Sequence, residues 1–121
     1  KKNMANPNIV NVATINGKTD VFALTTSSAN LVTATANTVF KINSILISNV
    51  DGTNAADVTI KYHDGSNARA IASTISVPAD ASLSLIDKNN GFYLEETEVI
   101  QGLASANSDL EALISYEIIA D

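Results

Sequence analysis

The chain has 121 residues, and its seven basic and thirteen acidic side chains give a formal charge of −6. This length is typical of one domain, and such a chain buries roughly two-thirds of its unfolded surface on folding. The basic residues are scattered singly, so we do not expect the concentrated cationic face that binds nucleic acid. Cysteine is absent from the sequence, which excludes disulfides, thiolate metal sites and cysteine nucleophiles.

The sequence contains no candidate membrane segment. No apolar run approaches the roughly 20 residues that span a bilayer, and the N-terminus has no apolar segment of signal-peptide type. We therefore expect neither a membrane partner nor export. Met4 has the character of a natural start, so residues 1–3 are interpreted as upstream sequence and residues 4–121 as a single domain.

The spacing of turn-forming residues predicts an all-β fold. Turn signals recur at intervals of roughly 8–12 residues, with no sustained helical repeat between them. Hydrophobic residues make up 45% of the sequence and aromatic residues only 5%, so the core must consist mainly of Val, Ile, Leu and Ala. These features predict an antiparallel β-sandwich, jelly-roll or immunoglobulin-like, with about eight to ten short strands.

Residues 8–26 are predicted to form an N-terminal hairpin. Apolar residues at 9, 10, 12 and 15 precede Asn16-Gly17, the dipeptide most typical of a two-residue hairpin turn, and Val21, Phe22 and Leu24 follow it. The next segment, residues 25–38, has a weak pattern, and its β-branched threonines favour extended backbone over helix.

The segment from Phe40 to Tyr62 is predicted to be the central β-hairpin. Asp51-Gly52-Thr53-Asn54 supplies its turn, and the second arm alternates cleanly between an apolar and a polar face.

The first arm of this hairpin changes phase. Under strict alternation Phe40 and Ile42 share one face, whereas Ile45 and Ile47 fall on the other. Two explanations stay open: a β-bulge near Asn43-Ser44, or a strand buried on both faces by a crossing strand or a subunit contact.

The later strands are bounded by polar turns. Residues 64–67 and 87–91 are turn sequences, and Pro78 ends a strand because proline cannot donate to a β-ladder. Apolar residues mark five further strands: Ile71, Ile75 and Val77; Leu83, Leu85 and Ile86; Phe92, Tyr93 and Leu94; Val99 and Ile100; and Leu110, Ala112, Ile114, Tyr116 and Ile118.

No catalytic constellation is visible. The single histidine, His63, excludes a multi-histidine metal site and is interpreted as solvated surface. The oxygen side chains between Asp51 and Asp57 have the chemistry to hold calcium, but the spacing of a calcium loop is missing. Asx turns, in which these side chains bond their own backbone, are the preferred interpretation.

Two further sets of residues have side chains of types found in enzyme sites. Glu95, Glu96 and Glu98 suggest paired carboxylates for glycoside chemistry, but adjacent acids on a turn are more simply a solvated cluster that protects a sheet edge. Tyr62, Tyr93 and Tyr116 are the tyrosines available for a sugar subsite, and they are too few for a developed one. We expect no enzymatic activity, no cofactor and no metal.

Two long segments of the chain resemble a known family. They are SILISNVDGTNAADVTIKYHDG and, further on, VPADASLSLIDKNNGFYLEETEVIQGLASANSDLEALISYEII. Together they are similar to small structural proteins of tailed bacteriophages, particularly phages of marine bacteria and cyanobacteria. The resemblance covers residues 42–119, whereas the N-terminal third matches only loosely. It implies a virion component of β-sandwich type, without enzymatic activity and with no catalytic residue to carry over.

We therefore expect a capsid decoration or cementing protein that is assembled in the host cytoplasm and binds the phage head as a homo-oligomer, with a trimer favoured. Its expected partners are other virion proteins, in particular the major capsid protein. Candidate contacts are apolar residues out of phase with their neighbours: Ile45, Ile47, Leu113 and Ile119. A charged residue at Ile119 is expected to disrupt assembly more than folding.

Two alternatives stay open. One is a tail, neck or fibre component of the virion. The other, from a different class, is a carbohydrate-binding β-sandwich module whose polar turns contact host glycans. The surface-loop candidates for that role are Asp51, Asn54, His63, Asp64 and Asn89.

Overall fold

The computed structural model describes Pro7 and residues 12–120. Within that part of the chain the structure has nine β-strands and no helix. The strands are β1 (Thr14–Ala23), β2 (Ala29–Thr33), β3 (Thr38–Asn49), β4 (Ala56–His63), β5 (Ala68–Val77), β6 (Ser82–Ile86), β7 (Phe92–Leu94), β8 (Val99–Ala104) and β9 (Leu110–Ala120). Residues 1–3, interpreted above as upstream sequence, and the apolar residues 9 and 10 lie outside the described residues.

The strands form two antiparallel sheets. Sheet I has the order β1-β9-β3-β6, and β7 pairs with the other half of the β3 edge that β6 occupies. Sheet II has the order β2-β8-β4-β5. Most connections cross from one sheet to the other, which is the jelly-roll arrangement. The predicted antiparallel β-sandwich is therefore confirmed, and the strand order selects the jelly roll over the immunoglobulin-like alternative.

The core between the sheets is aliphatic, as the composition predicts. Its members come from both sheets and are almost completely removed from solvent. The largest core residues that are less than 2% exposed are Leu24, Ile42, Ile45, Ile47, Ile60, Leu94, Ile100, Leu110 and Ile114.

Of the two explanations for the phase change in β3, the bulge is the one that the structure shows. The register of β3 against β9 shifts between Ile42 and Ser44, so that the alternation restarts there. As a result Phe40 and Ile42, before the shift, point into the same core as Ile45 and Ile47 after it. A bulge alone explains the change of phase.

The predicted central hairpin is wrong. β3 pairs only with strands of sheet I and β4 only with strands of sheet II, so the two arms face each other across the core. The loop between them is fixed by the buried side chain of Asn49, which donates to the carbonyl oxygens of Asn54 (3.0 Å) and Val77 (2.9 Å) and accepts from the Asp51 amide (2.9 Å). Asn49 thus directs the chain from one sheet to the other instead of back along β3.

The predicted N-terminal hairpin is also wrong where the structure describes it. Residues 14–23 form one strand that pairs with β9 at ten consecutive positions, including Asn16 with Ile118 and Gly17 with Glu117. Gly17 does not have the positive φ that a type I′ turn requires. A ladder of ten pairs outweighs the local turn preference of one dipeptide.

The turns at residues 64–67 and 87–91 are confirmed. The Asp64 amide donates to the Asn67 carbonyl (3.1 Å), and the Asn90 amide donates to the Asp87 carbonyl (3.2 Å). β5 ends at Val77, directly before Pro78, as expected from the missing amide of proline.

Candidate functional site: an assembly face and an aromatic pocket

Two of the predicted contact residues lie in the interior. Ile45 and Ile47 are 0% exposed and belong to the core cluster. Their prediction as subunit contacts is corrected, because the bulge turns both side chains inward and leaves no surface for a partner.

Leu113 lies on the outer face of sheet I, where a contact residue is expected. Its direct cross-strand neighbours are Val21 on β1 and Leu46 on β3. Val21 is 59% exposed, and Leu46 and Leu113 are half-buried. These three side chains form a continuous apolar row across three strands, which we call the apolar row.

Polar residues border the apolar row on both sides. On one side Thr19 and Ser115 face each other, and their hydroxyl oxygens are 3.0 Å apart. On the other side Glu111 pairs with Ser48. An apolar centre with a polar rim is the usual anatomy of a protein contact surface.

Ile119 has the same outward phase as Leu113 but is only 2% exposed. It is buried next to Val39, its cross-strand neighbour, which is 3% exposed. The prediction that Ile119 contacts a partner is therefore corrected: a charged residue at this position is expected to impair folding.

Asp20, on β1, contacts both a tyrosine and a lysine. The Tyr116 hydroxyl donates to the Asp20 carboxylate at 2.6 Å, and the Lys18 ammonium lies 3.8 Å from the same carboxylate oxygen. The Tyr116 ring stacks on Phe40 with centroids 5.2 Å apart. Burial, together with the bond to Asp20, raises the pKa of Tyr116 well above its ordinary value.

The Asx-turn interpretation of Asp51 is confirmed. One carboxylate oxygen accepts hydrogen bonds from the amides of Thr53 (2.8 Å) and Asn54 (3.2 Å), and these bonds lower the pKa of Asp51. The Asn54 side chain lies 3.4 Å from the other oxygen. The carboxylate is thus used by its own turn.

The remaining loop candidates also serve their own turns. The ring of His63 accepts from the Gly65 amide at 3.1 Å, and the Asp64 carboxylate accepts from the amides of Ser66 and Asn67. Asn89 is exposed in the turn between β6 and β7. Asp51 precedes β4 and His63 ends it, so about 23 Å of strand separates them. The structure does not bring these candidates together into one glycan-binding surface.

Glu98 differs from its prediction. It was expected in a solvated acidic cluster, but its side chain is 1% exposed. Its carboxylate accepts hydrogen bonds from the Tyr62 hydroxyl (2.6 Å) and the Glu95 amide (2.8 Å). These partners offset the cost of burying the acid. Burial raises the pKa of Tyr62, and the bond to Glu98 and the charges of Glu98, Glu95 and Asp64 raise it further.

Tyr62 also lines an apolar pocket of about 350 Å³. Its ring meets that of Phe92 edge-on at 6.0 Å between centroids. Tyr93, which is 44% exposed, completes the aromatic wall. Ile71 and Ile86 line the remainder, so β4, β5, β6 and β7 all contribute. Tyr62 and Tyr93 are 31 positions apart, and no pattern in the sequence indicates that their rings line one pocket.

The described residues contain no group of three or more His, Asp or Glu side chains that could hold a metal ion. In residues 12–120 no helix has the length and apolarity needed to cross a membrane. The described surface thus has two distinctive features: the apolar row with its polar rim on the outer face of sheet I, and the aromatic pocket lined by β4, β5, β6 and β7.

No protein-family model matches the chain, and no curated protein matches it. Solved structures are similar in fold, among them the following two. One is a chain of Bacillus endospore appendages, described as a novel family of disulfide-linked pili, with a TM-score of 0.55, 14% identity, and coverage of 99% of this chain and 100% of that chain. The other is a chain of the acid-stable capsid of Helicobacter pylori bacteriophage KHP30, with a TM-score of 0.54, 8% identity, and coverage of 89% of each chain. At these identities the comparisons establish a shared β-sandwich fold.

Proposed function

We propose that this chain is a non-enzymatic structural protein of a phage virion, a decoration protein that binds the major capsid protein of the assembled head. The observation that carries the proposal is the apolar row of Val21, Leu113 and Leu46 on the outer face of a jelly-roll sheet. The row needs an apolar partner surface, and the polar residues beside it define where that surface ends.

The small size of the row fits a decoration protein. It spans three neighbouring strands, a width of about 10 Å. Three side chains present far less surface than the roughly 1,200–2,000 Å² that a stable complex buries. One copy therefore binds weakly through this row. A protein attached in many copies to a repeating shell gains strength from simultaneous contacts, because each further contact is intramolecular.

The structural likenesses support an assembled role, since one neighbour belongs to a phage capsid and the other to a pilus. The pili are described as disulfide-linked, and the sequence of this chain contains no cysteine. A virion is therefore the better-supported assembly of the two.

The polar chemistry of the described residues supports a non-enzymatic role. Glu98, the one acidic side chain buried among them, accepts bonds from Tyr62 and the Glu95 amide. His63 accepts from the Gly65 amide within its own turn. Neither arrangement presents an acid, base or nucleophile to a substrate.

The test is co-sedimentation with empty phage heads that lack their decoration protein. We expect Leu113→Asp to reduce bound protein at least tenfold, because a charge in the apolar row must be desolvated against the shell. Ser115→Asp is the matched control, with the same charge on the same strand and face but in the polar rim. Equal binding of both variants and the unchanged chain would contradict the proposed contact.

The aromatic pocket favours a second candidate, a carbohydrate-binding module. Its exposed ring, Tyr93, is suited to stack on a sugar, and a pocket of about 350 Å³ matches a small ligand. Glycan-array binding that Tyr93→Ala abolishes and Val50→Ala retains would support this candidate. Val50 is an exposed residue outside the pocket. Absence of glycan binding by the unchanged chain would exclude it for the glycans tested.

A further inference from the structure

The free edge of β1 differs from the other sheet edges among the described strands. β2, β6 and β7 are edge strands of only five, five and three residues. β5 has ten residues, but its register with β4 shifts twice and Thr74 has a φ of 47°. β1 also has ten residues, and it pairs with β9 in unbroken register. Short or bulged edges resist pairing, whereas a long regular edge invites it.

The side chains of β1 leave this edge accessible. Every residue from Thr14 to Thr19 is exposed, and Ile15 is 52% exposed. We propose that the free edge of β1 pairs with the same edge of a second copy, antiparallel, about a two-fold axis at Thr19.

The charges on β1 select this register. Residues directly opposite each other in an antiparallel pair point to the same face of the sheet. Side chains alternate between the faces along a strand, so each residue of β1 lies opposite one that is an even number of positions away in the sequence. The two-fold axis therefore passes through one residue and not between two. Centring on Lys18 or on Asp20 places like charges opposite each other. Centring on Thr19 places Lys18 opposite the second copy's Asp20, and Asp20 opposite its Lys18. Opposite-charge pairs and a central Thr–Thr pair both stabilise neighbouring strands.

The outer face is complementary in the same register. Val21 lies opposite the second copy's Gly17, where a Cβ atom would have no neighbour within 4 Å. Ile15 lies opposite the second copy's Ala23. Each exposed apolar side chain therefore meets a small residue, and its surface is covered without a clash.

The pairing makes sheet I continuous across two molecules and places two apolar rows on one face. It adds a two-fold dimer to the proposed function, in place of the trimer favoured from the sequence, and it does not depend on the capsid. A chain that pairs yet does not bind heads would contradict only the proposed function. A chain that binds heads but does not pair would contradict only this inference.

Cysteine crosslinking tests the register, since the chain has no cysteine of its own. Opposed residues in an antiparallel pair have Cα atoms about 4.5–5.5 Å apart, within the range that a disulfide spans. With oxidised glutathione as oxidant, we expect Thr19→Cys to form covalent dimers at least tenfold faster than Thr14→Cys, on the same edge, or Val50→Cys, an exposed position elsewhere. Equal rates for the three variants would overturn the proposal.

Exchanging the charges of Lys18 and Asp20 tests whether the partner of β1 is a second copy of this chain. In sedimentation velocity at several hundred micromolar, we expect dimers of the unchanged chain and monomers of Lys18→Asp and of Asp20→Lys. Mixing the two variants restores dimers, because each mixed pair brings the two aspartates of one variant opposite the two lysines of the other. Circular dichroism verifies folding, since Asp20→Lys also loses the Tyr116 bond. If Asp20→Lys does not fold, Lys18→Asp and the crosslinking decide. Dimers of Lys18→Asp as stable as the unchanged ones, or a trimer of the unchanged chain, would overturn the proposal.

Discussion

Truncating Ile45 tests whether the bulge in β3 turns this residue into the core. Ile45→Ala removes three carbon atoms from a side chain that is 0% exposed. At about 0.8 kcal/mol for each buried methylene, the lost transfer free energy is about 2.4 kcal/mol. The cavity that remains adds to this, so we expect the free energy of unfolding to fall by about 3–4 kcal/mol.

Leu46→Ala is the matched control, one residue further along the same strand. Leu46 is half-buried on the outer face, in the apolar row, so its truncation removes less buried surface and leaves no closed cavity. We expect a loss of about 1 kcal/mol in the folded monomer.

Urea denaturation at two protein concentrations separates folding from assembly, because only the stability of an oligomer depends on concentration. A change below about 1 kcal/mol for Ile45→Ala, with weakened assembly instead, would refute the assignment of Ile45 to the core. It would restore the alternative in which β3 is buried by a subunit contact.

Three further outcomes follow from particular contacts. A Cβ atom at Gly91 would lie 2.6 Å from the Ile42 carbonyl oxygen, so Gly91→Ala is expected to cost about 1–3 kcal/mol in urea denaturation, whereas the unobstructed Gly17→Ala changes stability by less than about 0.5 kcal/mol. Equal effects would contradict the close approach at Gly91. The pKa values of Tyr62 and Tyr116 are raised in the folded chain, so the unfolded chain loses these two protons at a lower pH than the folded chain does. The free energy of unfolding is therefore expected to fall as the pH rises above about 10. Replacement of both tyrosines with phenylalanine should flatten that fall, and an unchanged pH profile would refute this source. Asp51→Ala is expected to lower the melting temperature more than Asp51→Asn, because asparagine keeps the acceptor oxygen of the turn. Millimolar calcium is expected to leave the melting temperature of the unchanged chain the same. A rise would favour a bound metal over the Asx turn.

Local chemistry was sufficient to predict much of the fold. The phase change between Ile42 and Ile45 indicated either a bulge or burial on both faces, because alternation is a property of consecutive residues. Asp51 and Asp64 predicted their turns for the same reason, since an Asx side chain bonds the amides that follow it. The apolar residues that mark the last strand alternate along β9, and four of them, Leu110, Ala112, Ile114 and Tyr116, lie in the core.

Pairing between strands was not predictable from the same patterns. Two apolar runs joined by a polar loop look alike whether they form a hairpin or cross between sheets, and the buried side chain of Asn49 makes the difference here. The burial of Glu98 depends on Tyr62, 36 positions away. The aromatic pocket likewise exists only because four strands converge on it.

The most direct test of the proposed function is an electron cryomicroscopy map of the intact particle with this chain located in it. We expect density for the jelly roll on the head, with Val21, Leu113 and Leu46 against the major capsid protein. Location in the tail or a fibre, or a map in which the outer face of sheet I is open to solvent, would contradict the proposal.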